Sequence, residues 1–359
     1  MLYKKNYKEV LGRLTELYSG RGLDRIYAKM NIPNPVLEKV KIEKKDGEVE
    51  YPDMEERITF WDNYLSVYAD VEDDSIPSAY MSELDEGLYG AIVGAEIRFL
   101  LNTSWGWISS MVAPFVKDLD EVRKFKLDEN NIWFQRYMKQ VALFAERAGN
   151  KFGVSHFIVI DGLNFLMELR GGTNVYYDIM DEPEKVRYLT DFALKLNTWI
   201  HNHFFAVTGL FNGGTCSNLA QWIPGRVISE SVDPFHLTSV DVFEEWGREP
   251  VQKLFDQYDG GIVHIHSNGH HLIENIVTLK GLKCIALLDE EFNSPVYNKL
   301  EQLDFKRGKI PYHISIPYEV FADRLIKKDL PANVFYNVLH VPDARCANKM
   351  MSDVRKYKI

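Results

Sequence analysis

The sequence predicts an α/β protein with the architecture of a (β/α)8 TIM barrel and a helical extension at its N-terminus. The 359 residues are 46% hydrophobic, which is enough apolar mass for one large core. Beyond residue 90, short apolar runs alternate with segments of helical spacing, and this alternation is typical of βα units around a parallel sheet. Eight strand candidates match the number that such a barrel requires. We therefore expect a single domain over residues 1–359, with 1–80 as a helical arm and cover and 81–359 as the barrel.

The strand candidates are short apolar runs, and segments with helical periodicity separate them. One helix is predicted to begin at Pro183, because the missing N–H of proline leaves nothing unsatisfied in a first turn. Val186, Leu189 and Leu196 then share one face of that helix. Segment 31–53 contains three prolines and mixed charges, and it is predicted either to link the arm to the body or to form a small hairpin that turns at Asp46-Gly47. In chain order the strand candidates are Ala95–Leu101, Val154–Ile160, Phe205–Leu210, Arg226–Ser229, Gly261–His266, Lys283–Leu288, Tyr312–Ile316 and Val334–Leu339.

The composition limits the classes of binding partner and the cellular compartment that we expect for this protein. The formal net charge is -10, from 52 acidic and 42 basic residues, so the surface repels phosphate backbones and nucleic acid is not expected as a partner. The three cysteines lie more than sixty residues apart and form no disulfide framework. No stretch approaches 18 apolar residues, and the charged N-terminus has no apolar segment typical of a signal peptide. We expect a cytoplasmic protein without a membrane span.

Three carboxylates are candidate catalytic residues, because the active sites of (β/α)8 barrels form where the strands end. Asp161 follows the second strand candidate, and it either handles a proton or caps the following helix. Glu230 ends the fourth candidate strand, and Asp233 lies just beyond it.

A second group of residues is predicted to line the mouth of the barrel and to bind a ligand. Asn212, Gly213 and Gly214 follow the third strand candidate, and the glycines leave room for a flat molecule. Trp105 and Trp222 are expected to offer aromatic surfaces to the same mouth. Such a lining is also compatible with a barrel that binds a tetrapyrrole-like or small aromatic ligand without catalysis.

His264 and His266 are the candidate metal ligands. Residues two apart on a strand point to the same face, so both imidazoles are predicted to face the mouth of the barrel. Asp289 and Glu290 end the next strand candidate and are the expected carboxylate partners. Two imidazoles and a carboxylate suit zinc or a similar metal ion. In the alternative interpretation, one histidine donates to a backbone carbonyl and the other only packs.

Three segments of the sequence resemble those of one family. DGLNFLMELRG at 161–171, followed by DEPEKV at 181–186, resembles the "G-P…ELRG…DL…DPEKV" stretch of uroporphyrinogen decarboxylase-like proteins. DPFHLTS at 233–239 resembles their "D…ISPE-x-F" segment, and HIHSN at 264–268 resembles their strand-end "H-x-C-G-N". The order and spacing agree over about residues 80 to 356, so the chain resembles the uroporphyrinogen decarboxylase-like superfamily of (β/α)8 barrels.

The resemblance implies one of two activities, and the departures from it favour methyl transfer. Decarboxylases of the superfamily hold the substrate carboxylates with an arginine-rich N-terminal signature, whereas Arg98 is the only arginine here between Arg57 and Arg123. The chain is therefore not expected to be a true uroporphyrinogen decarboxylase. The cobamide-dependent methyltransferases bind zinc through the H-x-C pair and a later cysteine, and His266 replaces that first cysteine here.

The cobamide-dependent branch implies a methyltransferase that moves a methyl group between a corrinoid and a small nucleophile. The implied partners are a corrinoid or corrinoid protein and a small-molecule acceptor. The implied metal is zinc, and Asn268 is expected to be one of the cofactor-binding residues. The resemblance also implies a homodimer. Two other functions stay open, namely the non-catalytic binding barrel described above and a decarboxylase or lyase of another substrate.

Overall fold

The protein is described by a computed structural model that covers residues 1–156, 158–290 and 292–359, and its fold is mixed α/β as predicted. A six-stranded sheet in the order β1-β13-β12-β11-β10-β9 has only parallel neighbours. A second sheet has the order β3-β6-β7-β8, and a third, antiparallel one has the order β2-β4-β5. The strands are β1 (Ile26–Met30), β2 (Gly47–Val49), β3 (Ser78–Tyr80), β4 (Ile97–Asn102), β5 (Trp107–Val112), β6 (Gly153–His156), β7 (Gly214–Ser217), β8 (Gln221–Pro224), β9 (Ile228–Ser231), β10 (Gly261–His266), β11 (Leu282–Leu288), β12 (Tyr312–Pro317) and β13 (Val334–Leu339).

Helices connect most of the strands, and their ends follow local sequence signals. The longest helix begins at Pro183, as predicted, and the final helix is capped by Asp343, whose side chain accepts from the N–H of Cys346. Short 3₁₀ turns occur at 82–84, 119–124, 233–237, 267–272 and 296–298. The helices are α1 (Tyr7–Tyr18), α2 (Pro35–Glu43), α3 (Met54–Ser66), α4 (Glu86–Ile92), α5 (Ile132–Ala148), α6 (Gly162–Arg170), α7 (Gly172–Asp181), α8 (Pro183–Thr208), α9 (Val240–Trp246), α10 (Arg248–Phe255), α11 (Ile273–Ile276), α12 (Leu300–Asp304), α13 (Tyr318–Lys327) and α14 (Ala344–Lys356).

The strands in the second half of the chain agree with the sequence prediction. β10 and β13 have the predicted bounds, and β9, β11 and β12 differ from theirs by two residues or fewer at each end. The candidate Val154–Ile160 is shorter than predicted, because the strand covers Gly153–His156 and Ile158 then forms an isolated parallel bridge with Ser229. Phe157 lies outside the described residues.

The candidate strand Ala95–Leu101 has the predicted conformation but a different place in the fold. The observed strand, β4, pairs with the antiparallel strands β2 and β5 and not with the parallel sheet. The side chain of Asn102 accepts from the N–H groups of Ser104 and Trp105, and Gly106 has a φ of +67°. This tight turn sends the chain back on itself as a hairpin, which excludes a crossover to a parallel neighbour.

The prediction of a strand at Phe205–Leu210 is wrong. Helix α8 continues to Thr208 and ends at Gly209, which has a φ of +62°. Phe204 and Phe205 lie on the buried face of this helix, so their aromatic character reflects helix packing rather than a strand. The strand that follows, β7, begins only at Gly214.

The first 80 residues are more than a helical arm. Strand β1 pairs in parallel with β13, and β3 pairs in parallel with β6, so this segment supplies two parallel strands in addition to β2 of the antiparallel sheet. Both strands have five residues or fewer and show little alternation in sequence, and this is why they escaped prediction. None of the helices in the described ranges combines the length and apolar character needed to cross a membrane.

The two faces of the six-stranded sheet differ in what they contact. Ile26, Ala28 and Met30 of β1 belong to the main apolar core, which also contains residues of the surrounding helices. On the opposite face, Tyr27 belongs to a smaller cluster with Phe335, whose ring stacks on His313 at 4.7 Å. This second face, hereafter the inner face, also carries the histidines of β10, as their register with β11 and β12 shows.

Candidate functional site

The candidate site lies at the carboxyl ends of neighbouring parallel strands. His264 and His266 end β10, and residue Ser231 at the end of β9 is in register with His264. The chain turns directly after β9 into a 3₁₀ turn that begins with Asp233. Because the two strands are parallel and adjacent, the turn after β9 places Asp233 beside both imidazoles.

Asp233, His264 and His266 form a group that could hold a metal ion. The Oδ1 atom of Asp233 lies 3.4 Å from Nε2 of His264 and 3.6 Å from Nε2 of His266. One ligand atom from each residue lies within 4.8 Å of the others. His264 is buried, while His266 and Asp233 keep partial contact with solvent. A carboxylate and two imidazoles would supply three ligands to an ion and would leave a further coordination position for another ligand.

Asp233 is ionised in this environment. Burial alone would raise the pKa of its carboxyl group. Hydrogen bonding and charge from His264, a hydrogen bond from Ser231 and the charge of His266 outweigh that effect and hold the pKa far below its usual value. The carboxylate therefore keeps its negative charge at neutral pH, as a metal ligand must.

A third imidazole, from His236, also faces Asp233. Its Nδ1 lies 3.6 Å from Oδ1 of Asp233, and its ring centroid lies 5.5 Å from that of His266. Burial is the main reason that the pKa of His236 is lowered to about 4, and the histidines nearby add to the effect although Asp233 opposes it. His236 is therefore neutral at pH 7 and available as a donor or acceptor. Sequence reasoning gave it no role, although its spacing from Asp233 within one 3₁₀ turn was a usable signal.

The two carboxylates predicted from the next strand have different surroundings. Glu290 contacts Nδ1 of His266, the ring nitrogen that faces away from Asp233. Asp289 turns back to its own loop, where Oδ1 accepts from the N–H of Val296 at 2.7 Å. Glu290 is thus placed to fix the orientation and tautomer of His266. Among the carboxylates in the described ranges, Asp233 is the one grouped with both histidines.

Glu86 is a further carboxylate at this site that the sequence did not reveal. It opens α4, after the short strand β3, and its side chain reaches solvent. Desolvation of the carboxyl group is the main reason that the pKa of Glu86 is raised. The charge of Asp233 raises this pKa further, whereas the charges of His264 and His266 lower it. The Glu86 carboxylate therefore interacts electrostatically with the group formed by Asp233, His264 and His266.

Asp161 and Glu230 form a buried carboxyl pair. Both side chains are buried, and burial raises the pKa of Asp161 to about 6 although a hydrogen bond with Glu230 lowers it. Burial, followed by the charge of Asp161, raises the pKa of Glu230 well above its usual value. Two buried carboxyl groups that raise each other's cost of ionisation in this way hold at least one proton at neutral pH. The predicted capping role is not observed, because the Asp161 side chain makes no capping hydrogen bond to α6.

The carboxyl pair and the histidines lie on opposite faces of the sheet. Glu230 is in register with Val263, whereas Ser231 is in register with His264. On the helix side, Asn197 of α8 holds the backbone before Asp161 through two hydrogen bonds with the N–H and C=O groups of Ile160, at 3.0 and 2.8 Å. The carboxyl pair therefore lies on the helix-facing side of the sheet, near the ends of the strands. The charge of Asp233 still contributes to the raised pKa of Glu230.

Most of the predicted ligand-binding residues lie elsewhere. Asn212 and Gly213 precede β7 and Gly214 begins it, so all three lie at its amino-terminal end, and most of the strand predicted before them belongs to helix α8. Trp222 is buried in β8, where its Nε1–H donates to the carbonyl of Phe211 at 2.7 Å.

Two further predicted ligand-binding residues have contrasting surroundings. Trp105 is half-exposed in the turn between β4 and β5. Asn268 belongs to the 3₁₀ turn directly after His266. Of the six predicted ligand-binding residues, Asn268 is the one that directly follows the histidine strand.

The cysteines do not contribute to the site. Cys216 and Cys284 are buried, and burial raises the pKa of the Cys216 thiol to about 12 and that of Cys284 further. Cys346 lies in α14. Each of these thiols is protonated at neutral pH, in keeping with a structural role.

Comparison with known proteins identifies a similarity in fold. No protein-family model matches the chain, and no curated protein matches it in sequence. A solved structure, described as a methyltransferase from Methanosarcina mazei, matches over 97% of this chain and 98% of its own, with a TM-score of 0.62 and 11% identity. At that identity the match shows the fold alone. The chain is therefore similar in its overall fold to that methyltransferase.

Proposed function

We propose that this protein is a methyltransferase that moves a methyl group between a corrinoid and a small nucleophile, with a metal ion at Asp233, His264 and His266. The observation that carries the proposal is the grouping of these three ligand atoms within 4.8 Å. The similarity in fold to a methyltransferase supports the reaction class. The corrinoid follows from the resemblance of the sequence segments around residues 161–186, 233–239 and 264–268.

The proposal includes a closed (β/α)8 barrel. The bridge between Ile158 and Ser229 joins the segment after β6 to β9, so the parallel neighbours run continuously from β3 through β6 and the six-stranded sheet to β1. The N–H of Asp74, just before β3, donates to the carbonyl of Ala28 in β1 at 2.8 Å. This contact brings the first and last of eight parallel strands together and supports closure.

The donor set fits zinc, which is the metal that we propose. Two imidazoles and one carboxylate are a ligand set that catalytic zinc uses while it keeps a position open for substrate. The third imidazole, from His236, is neutral and faces the same carboxylate. A bound zinc ion would act as a Lewis acid and deprotonate a coordinated thiol.

The surrounding residues have separate tasks in this proposal. Glu290 orients His266 through its contact with Nδ1. Glu86, which is exposed and interacts electrostatically with both histidines, accepts the proton that the nucleophile loses. Asp161 and Glu230 share a proton behind β9 and so limit the negative charge next to Asp233.

The proposal can be tested by mixing the purified, zinc-supplemented protein with methylcobalamin and a panel of thiols, folates and amines. Loss of the methyl–cobalt absorbance above the uncatalysed rate is expected with at least one acceptor. His264→Ala should abolish that rate and lower the zinc content. His271→Ala is the matched control, because His271 is exposed and its Nε2 contacts the carbonyl of Thr238. The absence of a rate with every acceptor, or an unchanged rate in His264→Ala, would refute the proposal.

A further inference from the structure

A cavity lies at the opposite ends of the parallel strands from the candidate metal site. Gly153, the first residue of β6, and Gly214, the first residue of β7, line this cavity, which has a volume of about 180 Å³. The segment after β6 runs parallel to β9, because Ile158 forms a parallel bridge with Ser229. The candidate metal site forms where β9 and β10 end, whereas the cavity forms where β6 and β7 begin. The two sites are therefore separate.

The inner wall of the cavity is apolar. Phe204 and Phe205 meet edge to face there, with ring centroids 5.5 Å apart. Leu210 and Asn212 also line the cavity and are exposed, so it opens to solvent on their side. An apolar pocket that opens to solvent admits a small hydrophobic molecule. The buried side chains that line it are those of Phe152, Phe204, Phe205 and Cys216.

The last turns of the two longest helices, α5 and α8, also line the cavity. Ala145 and Ala148 belong to the last turn of α5, and Phe205 and Thr208 to that of α8. The N–H of Gly209 donates to the carbonyl of Phe205 at 3.0 Å, but helix geometry leaves the carbonyls of residues 206–208 without a donor from the helix itself. The negative ends of two helix dipoles therefore converge on the cavity.

The polar character of the cavity favours a neutral ligand that donates a hydrogen bond. None of the described residues that line it is charged. The hydroxyl groups of Thr208 and Thr215 already donate to the carbonyls of Phe204 and Gly225, at 3.0 and 2.7 Å. An anion would meet two negative helix ends without a cation to offset them, which is unfavourable. An N–H or O–H group of a ligand can instead donate to a carbonyl at the end of a helix.

We infer that this cavity is a second ligand site, which binds a small neutral aromatic molecule with one hydrogen-bond donor, such as a phenol. The ring packs against Phe204 and Phe205, and the donor bonds to a carbonyl at the end of α8. An apolar cavity of about 150 Å³ lined by Leu, Ile and Phe binds benzene. A volume of about 180 Å³ therefore admits one six-membered ring with a small substituent. The inference does not depend on the proposed function, because no residue of the metal site lines the cavity.

The test titrates the purified protein, carrying alanine labelled with ¹³C at its methyl group, with phenol, anisole and benzoate, and follows the methyl signals by NMR. Phenol should shift the signals of Ala145 and Ala148, which line the cavity, but not that of Ala142, which is exposed on the same helix. Anisole has a methyl group in place of the hydroxyl hydrogen, so it should bind about 10-fold more weakly than phenol. Benzoate should cause no shift at the same concentration, because it is an anion.

A pair of variants tests the location of the site. Ala145→Leu places a larger side chain in the cavity and should abolish phenol binding. Ala142→Leu is the matched control, because it makes the same substitution at an exposed position of the same helix, and it should bind phenol as the wild type does. Circular dichroism melting checks that both variants fold. The methyl shifts of the wild type decide the location independently of either variant.

Several results would overturn the inference. One is the absence of phenol-induced shifts at Ala145 and Ala148 in the wild type, and another is unchanged phenol binding in a folded Ala145→Leu. Equal affinity for phenol and benzoate, or for phenol and anisole, would contradict the proposed ligand class. His264→Ala should bind phenol as the wild type does, and loss of phenol binding in that variant would show that the two sites are not separate.

Discussion

Asp233→Asn isolates the contribution of one carboxylate to the candidate metal site. The substitution keeps the shape of the side chain but removes its negative charge, which lies 3.4 and 3.6 Å from the Nε2 atoms of His264 and His266. Loss of a hydrogen-bond partner in the outer shell of a metal site costs about 10- to 100-fold in affinity. Loss of a direct ligand should reach at least the upper end of that range. We therefore expect zinc affinity to fall by about 100-fold or more, or about 2.7 kcal/mol.

The affinity is measured by competition with a chromophoric chelator at pH 7.5, on protein stripped of metal and dialysed. Asp241→Asn is the matched control, because Asp241 is an exposed carboxylate in the same segment, and it should bind zinc as the wild type does. Circular dichroism melting of both variants checks that the fold is kept. Equal zinc affinity in Asp233→Asn and Asp241→Asn, with both proteins folded, would refute the assignment of Asp233 as a ligand.

Three further predictions concern the supporting residues. Glu290→Gln should weaken zinc binding about 10- to 100-fold in the same competition assay, because His266 loses the acceptor that orients it. Asp161→Asn should flatten the pH dependence of stability. A carboxyl whose pKa is raised from 3.8 to about 6 holds its proton more strongly when folded, so the wild type loses up to about 3 kcal/mol as pH rises through that window. Urea unfolding at pH 4.5 and 7 measures this difference. Asn197→Ala should cost about 2–4 kcal/mol in unfolding free energy, because it leaves the N–H and C=O of Ile160 unpaired.

Each of these predictions has an outcome that contradicts it. Unchanged zinc affinity in Glu290→Gln would mean that its contact with His266 does not tune the site. A variant Asp161→Asn that follows the wild-type pH profile would argue against the shared proton. For Asn197→Ala, the control is Asn202→Ala on the same helix, whose exposed side chain should matter by less than about 0.5 kcal/mol. Equal losses of unfolding free energy in the two variants would show that the hydrogen bonds between Asn197 and the backbone of Ile160 do not stabilise the wild type.

Local patterns in the sequence were sufficient to predict geometry where all of the residues concerned lie in one strand or one helix. The alternation within β10 determines that His264 and His266 share a face, and the apolar runs of β11 to β13 mark strands that are buried on both sides. Pro183 and the stripe behind it likewise determine the start and the buried face of α8. In these cases the periodicity of the backbone converts sequence spacing directly into geometry.

Relations between elements were decided only by the tertiary structure. Asp233 joins the histidines because a 3₁₀ turn follows β9, and Glu86, at the start of α4, interacts electrostatically with them although it lies far from them in the sequence. The Phe-rich end of α8 resembled a strand, because a short apolar run looks alike in a buried helix and in a sheet. The sequence by itself determined that His264 and His266 lie on one face of their strand. Strand register and turn geometry decided their partners, because those contacts join segments far apart in the chain.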